Sequence, residues 1–130
     1  MDILNTALSG MNAAATRVSV GANNIANAQS TTTTQNGQTV NQPYVAQQVQ
    51  QTAQNTGGVS TSLRDVSPPS VPVFAPDNPA AGEDGIVQMP NVDLNMEVAN
   101  QLLASNTYKA NANVIKRADE MYQSLLDIQS

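Results

Sequence analysis

The residues that could do chemistry in this chain are few and poorly placed for it. Ten carboxylates are accompanied by no histidine and no cysteine, which removes imidazole bases, thiolate nucleophiles, disulfides and nearly all zinc or iron sites. Two sequence-adjacent acid pairs remain, Glu83–Asp84 and Asp119–Glu120. Neighbouring side chains on a helix point about 100° apart, so Asp119 and Glu120 do not converge on one substrate. A loop pair such as Glu83–Asp84 needs only water around it. The stretch PDNPAAGEDG offers oxygen atoms to a calcium ion, but it lacks the ligand order and spacing of an EF-hand loop. The reading is a protein with no catalytic residues, no metal and no cofactor.

The conspicuous polar groups are amides. The stretch ANNIANA, Ala22 to Ala28, holds three asparagines and no charge. Asparagine is a mediocre helix former because its amide competes for nearby backbone groups. Yet the residues before it read as a helix. Leu4, Leu8, Met11, Ala15, Val18, Ala22 and Ile25 recur at alternating spacings of four and three, the seam of helices that pack side by side. Alanines make that seam narrow. Gly10 and Gly21 each weaken the isolated helix by about 1 kcal/mol relative to alanine, so it should fray in water when alone. The amides at 23, 24 and 27 either cap and end this helix or contact other chains.

A second periodic segment runs from about Asp93 to Ile128. Its stripe is Met96, Ala99, Leu103, Thr107, Ala110, Val114, Ala118, Met121, Leu125 and Ile128, with one stutter between Val114 and Ala118. Pro90 precedes it, Asn91 or Asp93 can cap it, and Asp93 and Glu97 suit its positive end. Lys116 and Glu120 lie one turn apart and can pair.

The middle has another grammar. Tyr44 to Gln51 and the alternation Val59, Thr61, Leu63, separated by Gly57-Gly58, predict two or three short strands and a small hairpin. Five prolines between 68 and 79 exclude helix and predict an extended connector. Thr31 to Thr34 reads as a mobile loop.

At 130 residues there is room for one domain at most. Aromatic residues are 3% of the chain, and much of the apolar fraction is alanine, so the expected core is thin. Such a chain should be marginal alone and gain stability by association. A net charge of −5 and a charged fraction of 12% argue against nucleic acid. Between Arg17 and Arg64 there is no charged side chain at all, which suits a segment packed among protein chains or a weakly ordered one. No apolar run approaches the ~20 residues of a membrane span, so direct membrane insertion is not expected. The N-terminus shows no secretory signal pattern.

Taken together, "SGMNAAATRVSVGANNIANAQS" resembles the N-terminal signature of bacterial flagellar axial proteins, in which a Ser-Gly pair opens a helix ending in Ala-x-Asn-Ile-Ala-Asn, here Ala22, Asn24, Ile25, Ala26 and Asn27. "FAPDNPAAGEDGIVQMPNVDLNMEVA" and "ASNTYKAN" are similar to the connector and C-terminal helix of the proximal-rod members of that family. The matching positions include Pro76, Pro79, Gly85, Met89, Pro90, Asn91, Glu97, Ser105, Tyr108 and Asn111. Asn106 stands where those proteins often carry arginine.

The resemblance implies a mainly α fold: long N- and C-terminal helices paired as a coiled-coil-like unit, with a short β-rich and extended middle. It divides the chain into 1–30, 31–90 and 91–130, the two helices forming one assembly domain. It implies a structural rod subunit in the periplasmic space that polymerises helically, transmits torque and encloses an export channel. The implied partners are copies of itself, other rod proteins, the inner-membrane ring with its adaptor protein, and the flagellar type III export apparatus that delivers it without a cleaved signal. The expected subunit-interface residues are Leu4, Leu8, Met11, Ala15, Val18, Ala22, Asn24, Ile25, Asn27, Pro90, Asn91, Leu103, Tyr108, Asn111, Val114, Met121 and Leu125. A coiled-coil binding or adaptor module that does not polymerise is the alternative.

Overall fold

The computed structural model describes residues 3–31, 33–35, 38–41 and 43–129. Two long helices, α1 (Ile3–Asn27) and α2 (Leu94–Gln129), enclose six short strands: β1 (Thr33–Gln35), β2 (Gln38–Asn41), β3 (Gln47–Ala53), β4 (Val59–Asp65), β5 (Ser70–Phe74) and β6 (Ile86–Pro90). Among the described residues the strands pair with their chain neighbours, as three antiparallel hairpins β1–β2, β3–β4 and β5–β6. No helix among the described residues is long and apolar enough to cross a membrane.

α2 starts where the sequence supplies a cap. Asp93 accepts hydrogen bonds at Oδ1 from the backbone N–H groups of Asn95 (2.9 Å) and Met96 (3.1 Å), occupying orphan donors of the first turn. Asn91, the other candidate, is committed elsewhere: its Nδ2 donates to the Pro68 carbonyl at 3.1 Å, and its backbone N–H to that of Pro69.

The helices run antiparallel, as three contacts along their length establish. Gly21 lies beside Glu97 and Gln101, Gly10 beside Asn111, and Ile3 shares a groove with Ala118. The face that α1 turns to α2 is therefore Ala7, Gly10, Ala14, Gly21 and Asn24, opposite Glu97, Gln101, Ala104, Asn111 and Ala118. A Cβ on Gly10 would sit 2.7 Å from Asn111 Nδ2, and one on Gly21 3.1 Å from Glu97 Oε2. The absence of side chains at these two positions lets α2 approach α1 closely.

Hairpin β3–β4 lies across the flank of α1. Arg17 Nη2 donates to Gln51 Oε1 at 3.0 Å, and Ser9 Oγ accepts from the Val59 N–H at 3.1 Å while donating to the Thr6 carbonyl at 2.7 Å. Strand β3 begins at Gln47 rather than Tyr44 because Tyr44 and the Gln47 backbone are tied to Asn24. The full register from Gln47↔Asp65 to Ala53↔Val59 closes on Gly57 and Gly58, both at positive φ.

The proline-rich connector is extended, and it also pairs with itself: β5 and β6 run antiparallel from Ser70↔Pro90 to Phe74↔Ile86. Pro72 is tolerated because each strand of a two-stranded ribbon has one edge free of ladder bonds. Val87 on this ribbon is 1% exposed, the bulkiest fully buried apolar side chain among the described residues. Thr33 and Thr34, expected in a mobile loop, stand in β1, and Thr32 lies outside the described residues.

Gly58→Ala should destabilise the chain by more than about 1 kcal/mol. Its φ of +83° disfavours any Cβ, and that Cβ would collide with Ser9 Oγ. Urea unfolding followed by far-UV circular dichroism measures the loss. Asp93→Ala, which removes the α2 cap, should cost about 1 kcal/mol in the same assay.

Candidate assembly surface

One side chain ties the elements together. Asn24 has no exposed surface, and all four hydrogen-bonding positions of its amide are filled from within the chain. Its Nδ2 donates to the Gln47 carbonyl at 2.7 Å and to Glu97 Oε1 at 2.6 Å. Its Oδ1 accepts from the Tyr44 hydroxyl and from the Gln47 N–H, both at 3.0 Å. One amide thus joins α1, the entry to β3, and α2. Among the described residues no buried side-chain polar atom lacks a partner.

Burial raises the Tyr44 pKa above its ordinary value of 10.0, and the nearby carboxylates of Glu97 and Asp65 add to the effect. The neutral phenol, which donates to Asn24, is the form that the folded chain favours.

Because the α1–α2 contact is made by small and polar residues, the large apolar residues predicted to form seams point elsewhere. On α1 the predicted seam is the contact face advanced by one residue, about 100° around the helix. Leu8 is 50% exposed, Val18, Ala15 and Ala22 are exposed, and Leu4, Met11 and Ile25 are half-buried. On α2, Leu103, Tyr108, Val114, Met121 and Leu125 are exposed, as are Met96 and Ile128. Of the predicted stripe only Ala118 is buried.

Some of these residues line open apolar grooves on the helix pair. Ala15 and Val18 border one groove of about 520 Å³ with Tyr108 and Lys109. Val114 borders two others with Ile3, one of which includes Thr6 and the other Met121. Past Met121, α2 carries Tyr122, Leu125, Leu126 and Ile128 into a fourth groove that no residue of α1 lines. Nothing in these linings combines convergent acids or bases; the geometry suits the burial of apolar helix faces against other protein.

Several predicted interface residues make contacts within the chain. Asn24, expected at a contact with neighbours, is sealed inside, where its amide bonds to both Gln47 and Tyr44. Pro90 is buried at the end of β6. Asn91 holds the Pro68–Pro69 turn. Asn111 covers Gly10 and donates to the Thr107 carbonyl at 3.0 Å. Asn27 donates back to the Asn23 carbonyl at 2.9 Å, acting at the helix end.

Sequence reasoning missed Tyr44, Gln47 and the small-residue face. The face had a signal: residues 7, 10, 14, 21 and 24 fit a second seam of threes and fours beside the apolar one. Tyr44 and Gln47 had none, since their role exists only once α1 and β3 meet.

Comparison with known proteins places both helices in one family. The model described as flagella basal body rod protein matches residues 4–32, and that described as flagellar basal body rod FlgEFG protein C-terminal matches residues 83–128. These segments hold α1, β6 and nearly all of α2, with hairpin β3–β4 lying between them. The flagellar basal-body rod protein FlgC of Yersinia enterocolitica is 37% identical to the chain, and that of Salmonella typhimurium 36%. Each alignment covers 98% of this chain and 96% of the relative. The FlgC protein of Buchnera aphidicola subsp. Acyrthosiphon pisum is 36% identical with the same coverage.

Two changes test the amide node. Asn24→Asp replaces both donors by a carboxylate oxygen facing the Gln47 carbonyl and Glu97, and should cost at least about 3 kcal/mol in a denaturant titration. A loss below about 1 kcal/mol would show that the node carries little. The raised Tyr44 pKa means that the unfolded chain loses its phenolic proton first as pH rises. The stability from this group is therefore complete below about pH 10 and declines as pH rises from there through the folded-state value. Tyr44→Phe should remove that alkaline decline, read from unfolding midpoints across a pH series.

Proposed function

The chain belongs to the FlgC family of flagellar basal-body rod proteins, a structural and non-enzymatic family, and from that membership we propose that it polymerises helically through its terminal helices. α1 and α2 act as one assembly domain, residues 1–30 and 91–130, with residues 31–90 carried between them. In the rod the subunits transmit torque and enclose the export channel. Their neighbours are copies of this chain, other rod proteins, and the inner-membrane ring with its adaptor. The type III export apparatus delivers the chain to the periplasmic space without cleaving a signal.

The observation that carries this reading is the exposed apolar surface on each helix, Leu8 and Val18 on α1 and Leu103, Val114, Met121 and Leu125 on α2. A contiguous apolar surface of this kind marks a place where protein meets protein. A shaft under torque needs many non-covalent contacts in parallel, and a continuous seam distributes load over its whole length. The thin core fits the same picture: among the described residues Asn24 and Val87 are the largest fully buried side chains, so much of the available burial waits for neighbours.

The test separates assembly from folding. Leu8→Glu combined with Val18→Glu places charges on an exposed face, so the isolated protein should unfold within about 0.5 kcal/mol of the unaltered chain. In a bacterium whose own copy is deleted, the double variant should fail to enter basal bodies or restore swimming, while the unaltered chain does both. Normal rods built from the double variant would count against the role of the α1 seam. A non-polymerising adaptor would show no rod defect in the deletion strain.

A further inference from the structure

We infer that the outer face of the β5–β6 ribbon docks a protein other than this chain, one that offers an apolar pocket rimmed by lysine or arginine. The surface lies outside the two helices, and the polymerisation reading makes no use of it. The first observation is a break in the expected alternation. Successive side chains of a strand point to opposite faces. One face of the ribbon is Val71, Val73, Val87 and Met89, buried or half-buried. The other carries Pro72, Phe74 and Ile86, all exposed. In β3–β4 the alternate positions 48, 50, 52, 60 and 62 are glutamine, threonine or serine. The ribbon instead carries apolar groups on both faces, and its solvent face holds the chain's one phenylalanine, 73% exposed. Among the described residues no large apolar side chain outside α2 is more exposed, and an exposed apolar patch of this kind marks a contact site.

The second observation is that the fold holds this ring out. Phe74 ends β5 and pairs with Ile86, which starts β6. A Cβ on Gly85 would sit 3.0 Å from Phe74 Cε2 and 3.2 Å from Pro76 Cβ, so the ring lies close against the glycine. The loop that follows is tied by its own hydrogen bonds. The Ala75 N–H donates to the Gly85 carbonyl at 2.9 Å, the Gly85 N–H to the Gly82 carbonyl at 2.9 Å, and the Gly82 N–H to the Ile86 carbonyl at 3.2 Å. Asp84 Oδ1 accepts from the Ile86 N–H at 3.2 Å. A ring presented on such a base loses little freedom when it enters a pocket, and buried aromatic anchors carry much of the energy of protein interfaces.

Charge selects the occupant. The loop adds Asp77, Glu83 and Asp84, all exposed and none of them in an ion pair among the described residues. From Asp65 to Tyr108 the chain has no lysine or arginine. A partner that meets this face therefore has to supply the cations. A second copy is poorly equipped to do so. Its net charge is −5, Arg17 is held by Gln51, and Lys116 and Arg117 face Glu120. Opposite charges around an apolar contact speed encounter and turn away like-charged partners. The occupant is a different protein with a basic rim.

The test places a photo-cross-linker at the anchor. Phe74→p-benzoylphenylalanine keeps an aromatic ring there, and the full chain carrying it is made in the deletion strain and irradiated in whole cells. Mass spectrometry should find it joined to a different protein, at a peptide that holds apolar residues beside lysine or arginine. Thr61→p-benzoylphenylalanine, on the β3–β4 hairpin, sets the level of random contact. Neutralising the rim with Asp77→Asn, Glu83→Gln and Asp84→Asn should cut the Phe74 product at least about threefold and leave the unfolding midpoint of the isolated chain unchanged. A product joined to a second copy of the chain would overturn the inference. So would a Phe74 yield no higher than the Thr61 level, or one that the neutral rim does not lower. Ile86→p-benzoylphenylalanine repeats the measurement from the same face if the Phe74 variant folds poorly. Cells that swim on the probe variant without a specific product sink this inference and leave the rod assignment standing.

Discussion

Everything else in this structure depends on how closely the two long helices approach. Glycine at 10 and 21 and alanine at 7, 14, 104 and 118 keep the intrachain contact thin. A thin contact of this kind buries little apolar area, and it cannot also accommodate leucines and methionines. Those residues are therefore rotated away from the contact on both helices. Tight intrachain packing and an open apolar exterior are two results of one arrangement.

That arrangement divides the work between polar and apolar groups. Inside, specificity comes from an amide with all its bonds made, since an uncharged buried group avoids the desolvation cost that an ion pair would carry. Outside, large side chains remain available for neighbours. Exposed ion pairs on α2 add little to the stability of the single chain. The hairpins serve as attachments: β3–β4 is fixed to α1 through Arg17 and Ser9, and β5–β6 leads into α2 by way of Asn91.

The helices, a cap at Asn91 or Asp93 and the β3–β4 hairpin were legible in the sequence, because their causes are local: period, capping chemistry and paired glycines. The self-pairing of the proline-rich connector was not, since prolines report only what the backbone cannot do and not what lies beside it. The apolar seams were also legible, but their partner was ambiguous. A period near 3.5 says that a helix face is covered without saying by which chain, and the small-residue seam one position away was overshadowed by the larger residues. Asn24 shows the limit most clearly. Its type and spacing marked it out, yet its assignment to the interior depended on Tyr44, Gln47 and Glu97 arriving from three other parts of the chain.

The Asn24 node has a consequence for how order arises along the chain. It behaves as a logical AND: one donor requires Glu97 and the remaining bonds require the Tyr44–Gln47 segment. An N-terminal half that lacks α2 keeps an amide proton without its acceptor and leaves Gly10 and Gly21 against nothing. Such a half retains three of the four Asn24 bonds and the ties of Ser9 and Arg17 to the hairpin, while the bond that joins the node to the second helix arrives only with the last third of the chain.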